Sequence, residues 1–482
     1  MATSSASGVL LSASSLSGYK DQIQQYLTDY RKSLETASIN PLNVKKDTYT
    51  SQKNSLSDLA TKLTSLQSTL GLLTATGSNS LFNSFSSSIS STNYVNPILT
   101  GTLSPGNYSI LVKQLAKNDK IVSDSVAQNG PQILSVGDHE FTVNVGSTSF
   151  TVNFSVEAGD TNTSILEKIA IAINKSSASA KLTASILNDT DDTTKLILVS
   201  KETGSSNALS FDDPDGVLAS LGINSNRTAV VGSSGGYVNV NIDDLDSIVN
   251  IDGLDIKRGT NSVAGVIPGL TLDLRTVNQA SDIPTNLIIA PGKDNVKALL
   301  DKFMEDYNDV IKHINEQVKT SSSGAKSVFS GDITLRSLTL QMRSLLNQSV
   351  GSVATGAPSS LFSIGIKINQ DGSLVWDDIT KFNQAFEKGA TNISNIFNSA
   401  DGLANSLSSY LNNYTRAGGI LYNKSLSIQN QIKSIESRVL TAQFRIDKRV
   451  DRVTMSYNNL MSSITNLQNQ QEMMRQVTQG MY

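Results

Sequence analysis

The 482-residue chain has no cysteine and only two histidines, His139 and His313. No disulfide framework, Cys-liganded zinc site, iron–sulfur cluster or cysteine nucleophile is possible, and neither is a three-histidine metal site. A Ser-His-Asp triad has two places to look, and the chain has no G-x-S-x-G elbow. Walker A and G-x-G-x-x-G loops are missing too. No catalytic residue, metal or cofactor is therefore expected, and no enzyme. Proline (9) and glycine (32) are too few for a collagen-like or Pro-rich fibrous chain. With 39 basic and 42 acidic residues, net −3, the chain lacks the basic excess of a nucleic-acid binder. No apolar run approaches about 18 residues, so no membrane insertion is expected. The first lysine is Lys20, with neither a basic n-region nor a long apolar stretch around it, so no cleaved signal peptide is expected.

Helical periodicity marks both ends. Tyr19, Ile23, Tyr26, Tyr30 and Leu34 line one face of a helix over 15–37, which Asn40-Pro41 interrupts because proline lacks a donor and disfavours helix in the residue before it. Leu56, Leu59, Leu63, Leu66, Leu70 and Leu73 then recur as a heptad seam. Towards the other end, Val296, Leu300, Phe303, Tyr307, Val310 and Ile314 form a second seam, with Asp294 as its N-cap. Leu335, Leu338, Met342 and Leu345 mark another helix, Asp371-Gly372 centres a hairpin over 366–376, and 382–411 reads as helical.

The last seam is the longest. It runs Ile428, Ile432, Ile435, Val439, Ala442, Ile446, Val450, Val453, Tyr457, Leu460, Ile464 and Leu467 without a proline. Two successive steps of four, Ile446 to Val450 and Ala442 to Ile446, make a stutter that locally unwinds a left-handed supercoil. Residues 428–482 carry seven basic and four acidic side chains, net +3.

Between 78 and 291 the period changes to two. Strands are expected at 108–112, 141–145, 150–154, 195–199, 237–241 and 270–274, with one helix over 163–174 whose Ile165, Ile169 and Ile173 share a face. Residues 129–228 hold 12 acidic and 6 basic side chains, net −6. The expected fold is α+β and multidomain: a helical coiled-coil stalk built from both chain ends, carrying inserted β-rich head domains. Its parts are terminal coiled-coil segments at 1–42 and 427–482, flexible before assembly, a helical domain of 43–77 with 292–426, a β-rich domain of 78–128 with 229–291, and an outer β-rich insertion at 129–228.

Other side chains invite chemistry and have plainer readings. Asp243, Asp244, Asp246, Asp252 and Asp255 cluster without EF-hand spacing and read as a solvated acidic loop. Residues 212–216 read as a turn, and both histidines as structural or surface groups. The seams at 56–73 and 296–314 suit an intramolecular bundle core. The terminal seams are narrow and polar outside, which favours packing against another chain or ordering upon it. Tyr19, Ile23, Tyr26, Tyr30, Ile446, Val450, Val453, Tyr457, Leu460, Ile464 and Leu467 are the candidate partner or oligomer contacts.

An ordered set of motifs carries a family resemblance. Asn40-Pro41-Leu42 precedes the leucine seam. Pro105-Gly106-Asn107-Tyr108-Ser109 leads to Val112-Lys113-Gln114-Leu115-Ala116. Phe141 to Asn174 and Thr183 to Ser200 resemble a hairpin–helix–strand module shared with flagellins. Asp252-Gly253, Asn261 and Ile267-Pro268-Gly269-Leu270-Thr271-Leu272 follow, then Tyr307-Asn308, Gly331-Asp332 with Leu335-Arg336, and Asp371-Gly372-Ser373-Leu374. In that order they resemble the flagellar filament cap (hook-associated protein 2, FliD) family. The resemblance implies a structural protein at the extracellular tip of the bacterial flagellum, exported through the flagellar type III apparatus without signal cleavage. It implies a ring-shaped homo-oligomer, usually a pentamer, that promotes flagellin incorporation and prevents flagellin leakage. Implied partners are flagellin, the hook–filament junction protein and a cytoplasmic export chaperone at the C-terminal segment. The alternatives are another axial component, such as a junction protein or flagellin, and a secreted adhesin acting through its head domains; a hydrolase is remote.

Overall fold

The structure, a computed structural model, describes residues 13–224, 226–319 and 327–479. The chain opens with two helices, α1 (Ala13–Ser38) and α2 (Asn40–Thr74). Ile39 is the joint between them, and Pro41 falls in the first turn of α2, where its missing N–H costs nothing.

The chain then enters a β-rich unit comprising residues 77–79 and 83–295. Its first strands are β1 (Phe85–Ile89), β2 (Val95–Leu99), β3 (Gly106–Gln114), β4 (Asn118–Val122) and β5 (Val126–Ala127). A hairpin follows, β6 (Gly137–Val145) and β7 (Thr148–Val156), then α3 (Asn162–Lys175) and the strands β8 (Leu182–Asn188), β9 (Thr193–Thr203), β10 (Leu209–Asp212) and β11 (Gly236–Tyr237). The unit closes with β12 (Ser247–Ile251), β13 (Leu254–Arg258), β14 (Ser262–Ala264), β15 (Leu270–Leu274) and β16 (Thr285–Pro291).

Among the described residues the named strands pair antiparallel, and they gather round two cores. One five-stranded sheet, β1-β16-β3-β12-β13, and the three-stranded β14-β15-β2 enclose Val95, Ile110, Val112, Val249, Leu272 and Leu287. The other core lies among β10-β6-β7, the sheet β11-β4-β9-β5 with β8 on β9, and α3, which presents Ile165, Ile169 and Ile173 as its spacing demands. Thr161 caps α3 by accepting from the Ser164 N–H.

The motifs at 105–116 and 252–272 meet in the first of these cores. Asn261 accepts from the Ala116 N–H at 2.7 Å and donates to the Ala116 carbonyl at 3.0 Å. Asp252 and Gly253, at φ 50° and 89°, turn β12 into β13, and the Asp252 carboxylate accepts from the Ser109 N–H at 2.8 Å. At Gly269 (φ 75°) an added Cβ would lie 2.5 Å from the Thr102 carbonyl oxygen, so only glycine fits this turn.

Among the described residues, the helical unit comprises 13–76, 80–82, 296–319 and 327–479. After α2 it is built from α4 (Lys293–Val318), α5 (Ile333–Leu346), the hairpin β17 (Ile366–Ile368) and β18 (Leu374–Trp376), α6 (Ile379–Glu387), α7 (Ala390–Asn398), α8 (Leu403–Thr415) and α9 (Ile420–Gln479). The leucines of α2 and the seam of α4 lie in one core with Phe382, Phe397 and Leu407. Polar ties fix the register of these helices. The Thr69 hydroxyl donates to Asp306 at 2.6 Å, and Lys302 pairs with the same buried carboxylate at 2.7 Å. Asn308 both accepts from the Leu374 N–H and donates to its carbonyl, which docks the hairpin on α4.

The fully buried Tyr307 hydroxyl has no hydrogen-bond partner among the described residues, and burial pushes its pKa up. An unpaired buried hydroxyl costs stability rather than adding it. The Y307F variant is therefore expected to lose no stability and to gain up to about 1 kcal/mol. Thermal unfolding of wild type and variant checks this; a lower midpoint for Y307F would show a hidden partner.

Several sequence expectations need correction. Asp294 lies within the first turn of α4 and is not its cap. The stretch 382–411 is helical in three pieces, broken at Gly389 (φ 122°) and at Gly402, where a Cβ would lie 2.4 Å from the Phe397 carbonyl oxygen. The strand expected at 237–241 is reduced to Gly236–Tyr237. Arg227 donates to the Asn239 and Val240 carbonyls, acceptors that a sheet ladder would use, and Val238 and Val240 face outward.

The aspartates at 243–255 are not one solvated loop. Asp246 is buried and accepts from both the N–H and the hydroxyl of Ser205 at 2.7 Å. Burial pushes its carboxyl up, but the Ser205 donors and the Lys257 ammonium outweigh this and hold it below the usual carboxylate range. Asp255 pairs with Lys113 at 2.7 Å. Residues 212–216 do form a turn, in which Asp213 accepts from the N–H groups of Val217, Leu218 and Ala219.

Candidate functional site

The candidate contacts lie on α1 and α9, so the site is the surface these helices make. Their pairing follows from their seams. Leu27 and Ile39 of the N-terminal arm pack with Ile446 (4% exposed) and Val450 (9% exposed), flanked by half-buried Ile23, Tyr30, Leu34, Val439, Ala442 and Val453. Tyr26 stacks on Tyr30 at 6.0 Å and meets the ring of Tyr457 edge-on at 6.0 Å. Arg31 closes one flank with an ion pair to Asp447 at 2.6 Å.

The long seam of α9 therefore divides into three stretches. Ile428 and Ile432 belong to the main helical core beside α2. Ile446, Val450 and Val453 are covered by α1. Beyond them, Leu460 and Leu467 are 54% and 60% exposed, and Met455, Met473, Met474 and Val477 are also exposed. Tyr457 and Ile464 are half-buried. On α1, Tyr19 and Tyr26 remain exposed. Of the predicted set, Ile23, Tyr30, Ile446, Val450 and Val453 are thus brought together in one packed seam, and Tyr26 and Tyr457 touch at its edge. Tyr19, Leu460, Ile464 and Leu467 lie outside that seam.

Sequence reasoning missed Leu27 and Ile39. Leu27 stands four residues after Ile23 and three before Tyr30, so the helical period marked it. Ile39 was hidden by the break at Asn40-Pro41. The Arg31–Asp447 pair links residues 416 positions apart and has no local signal.

The histidines lie elsewhere and are structurally engaged. His313 Nε2 is 3.0 Å from the Ser55 carbonyl oxygen, and His139 stacks on Phe154 at 5.5 Å. Among the described residues no group of three or more His, Asp or Glu side chains is placed to hold a metal ion. No described helix is long and apolar enough to cross a membrane. An extended amphipathic surface of this kind has the chemistry to bury its open seam against another helix.

Comparison with known proteins bears on the family of this chain. A family model described as the flagellar hook-associated protein 2 N-terminus matches residues 22–119, and one described as its C-terminus matches residues 245–469. The B-type flagellar hook-associated protein 2 of Pseudomonas aeruginosa is 26% identical over 437 residues, covering 88% of this chain and 88% of that protein. The flagellar hook-associated protein 2 of Escherichia coli is 22% identical over 454 residues, covering 92% of each. The crystal structure of the D1-D2-D3 domains of the flagellar cap protein FliD from Escherichia coli superposes with a TM-score of 0.56 at 23% identity, over 78% of this chain and 99% of that one, a likeness of fold. The two family models span well over half of the sequence, including most of α1 and α9 and the 252–272 motif, and the chain belongs to the flagellar hook-associated protein 2 (FliD) family.

Proposed function

We propose that this protein caps the distal end of the bacterial flagellar filament, where it promotes flagellin incorporation and prevents flagellin from leaking away. It does so as a structural protein and not by turnover. Membership of the hook-associated protein 2 family carries this reading and favours it over another axial component or an adhesin. The exposed seam beyond Val453 supports it physically, since a seam left open at one end of a paired helix is a surface for another chain.

In this reading the copies form a closed ring, of five by analogy with the family, because a cap must terminate rather than propagate. The contacts are flagellin at the filament end, the junction protein before filament growth, and an export chaperone on the C-terminal segment. Export runs through the flagellar type III apparatus without signal cleavage, to the extracellular tip. Terminal segments 1–42 and 427–482 make the contacts, 43–77 with 292–426 supports them, and 78–128 with 229–291 carries the outer insertion 129–228.

The test is deletion of the gene in its motile host, with flagellin measured in filaments and free in the medium. Loss of filaments with free flagellin accumulating, reversed by the wild-type gene, is expected. Normal filaments without leakage would overturn the cap reading.

A further inference from the structure

One side of the α1/α9 pair carries unneutralised charge. Two adjoining hollows of about 520 and 650 Å³ share Arg449 and run along α9 from Arg438 to Leu460. At 1.5 Å per residue that furrow is about 33 Å long. Its floor is apolar, with half-buried Leu34, Leu42, Ala442 and Val453 reaching the surface and Ile446 buried beneath them. Its cations are Arg438, Arg445, Arg449 and Arg452, all exposed, and no carboxylate lines it.

Among the described residues none of these four arginines has an ion pair, whereas neighbouring charges do: Arg31 with Asp447 and Lys46 with Glu436. The Arg449 guanidinium lies over the face of Tyr30, at 5.9 Å. The spacing is regular. Arg438, Arg445 and Arg452 recur every seven residues, one position before the seam residues Val439, Ile446 and Val453. For Arg438 and Arg445 that is the flanking position of a coiled coil, whose charge selects the facing helix, while Arg452 borders the furrow beside Val453. After Ile446 the seam steps by four to Val450, and this leaves Arg449 on the furrow side.

We propose that this furrow seats an acidic amphipathic helix of a partner protein, its apolar seam on the floor and its flanking carboxylates on the arginine stripe. The proposal deepens the cap reading and rests on the terminal helices being its contact surface. A second copy presenting the same furrow does not fit, because it would set arginine against arginine. The charge makes docking selective for one sign and sensitive to salt.

The test uses the full chain and two labelled peptides of about four heptads with identical Leu/Ile seams, one flanked by glutamates and one by lysines. Fluorescence anisotropy should show the glutamate peptide bound preferentially, with affinity falling as salt rises. The triple variant R438E/R445E/R452E should weaken it at least about tenfold and prefer the lysine peptide instead. The triple Arg→Lys variant should keep the wild-type preference, which separates charge from folding. Equal binding of both peptides to wild type, an unchanged preference in the glutamate variant, or no binding of either would overturn the proposal. So would loss-by-reversal seen only with phosphatidylglycerol vesicles, which would make the stripe a membrane contact. A chain that complements the deletion strain yet fails these binding tests keeps its cap function and loses this proposal.

Discussion

Replacing Arg227 with methionine is expected to destabilise the β-rich unit by about 3–5 kcal/mol. Arg227 grips Asp119 with both terminal nitrogens, at 2.7 and 2.8 Å. Its remaining donors reach the Asn239 and Val240 carbonyls at 2.7 and 3.0 Å, and its guanidinium lies 4.0 Å above the ring of Tyr237. Burial pushes the Tyr237 hydroxyl up to about 12, so the arginine faces a neutral phenol. The Asp119 side chain is 0% exposed and Arg227 14%, and Asp119 also accepts from the Leu209 N–H at 2.8 Å. One cation thus ties β4, β10 and the segment after β11 together. Removing it leaves a carboxylate buried without a counter-charge, which costs more than an open surface pair would ever contribute. Amide hydrogen exchange in β4, β9 and β10 should quicken at least about a hundredfold. The double variant D119N/R227M should recover part of the loss, because the asparagine still accepts from Leu209 without a stranded charge. A loss below about 1 kcal/mol for R227M would mean that water reaches the pair and screens it.

That pair also shows where sequence reading stops. Arg227 and Asp119 are 108 positions apart, and no periodicity relates them. The alternation at 237–241 pointed to a strand, yet Arg227 takes its carbonyls and its valines face solvent. Two-residue strands such as β5 and β11 exist only because β9 and β4 offer them an edge, so they carry no period of their own. By contrast, the seams at 56–73 and 296–314 were legible because each long helix must bury one stripe, and every residue named in them is buried. The family motifs were legible as letters but not as geometry. Asn261 matters because it satisfies both backbone groups of Ala116, and Gly269 because a Cβ would strike Thr102. In the site, the heptad spacing of the arginines was readable from the start. Their lack of carboxylate partners was not, since that depends on where α1 lies.

The sharpest separation between the buried and the exposed parts of the α9 seam comes from two aspartate variants. Ile446, 4% exposed against α1, cannot take a carboxylate without burying an unpaired charge. I446D is expected to cost several kcal/mol of α1/α9 pairing, releasing α1 while the core around Ile428 and Ile432 persists. Proteolysis of the α1 segment should accelerate, with the amides of α2 and α4 still protected. Leu460 is 54% exposed, so L460D should change stability by less than about 0.5 kcal/mol. If the seam beyond Val453 docks on another chain, L460D should nevertheless leave the deletion strain with short filaments and free flagellin, because docking would bury the new charge. I446D should fail too, but with a folding defect that L460D lacks. Full complementation by L460D would withdraw that stretch from the contact surface and confine the grip to the α1/α9 pair, whereas failure of L460D with unchanged unfolding assigns the exposed seam to the partner.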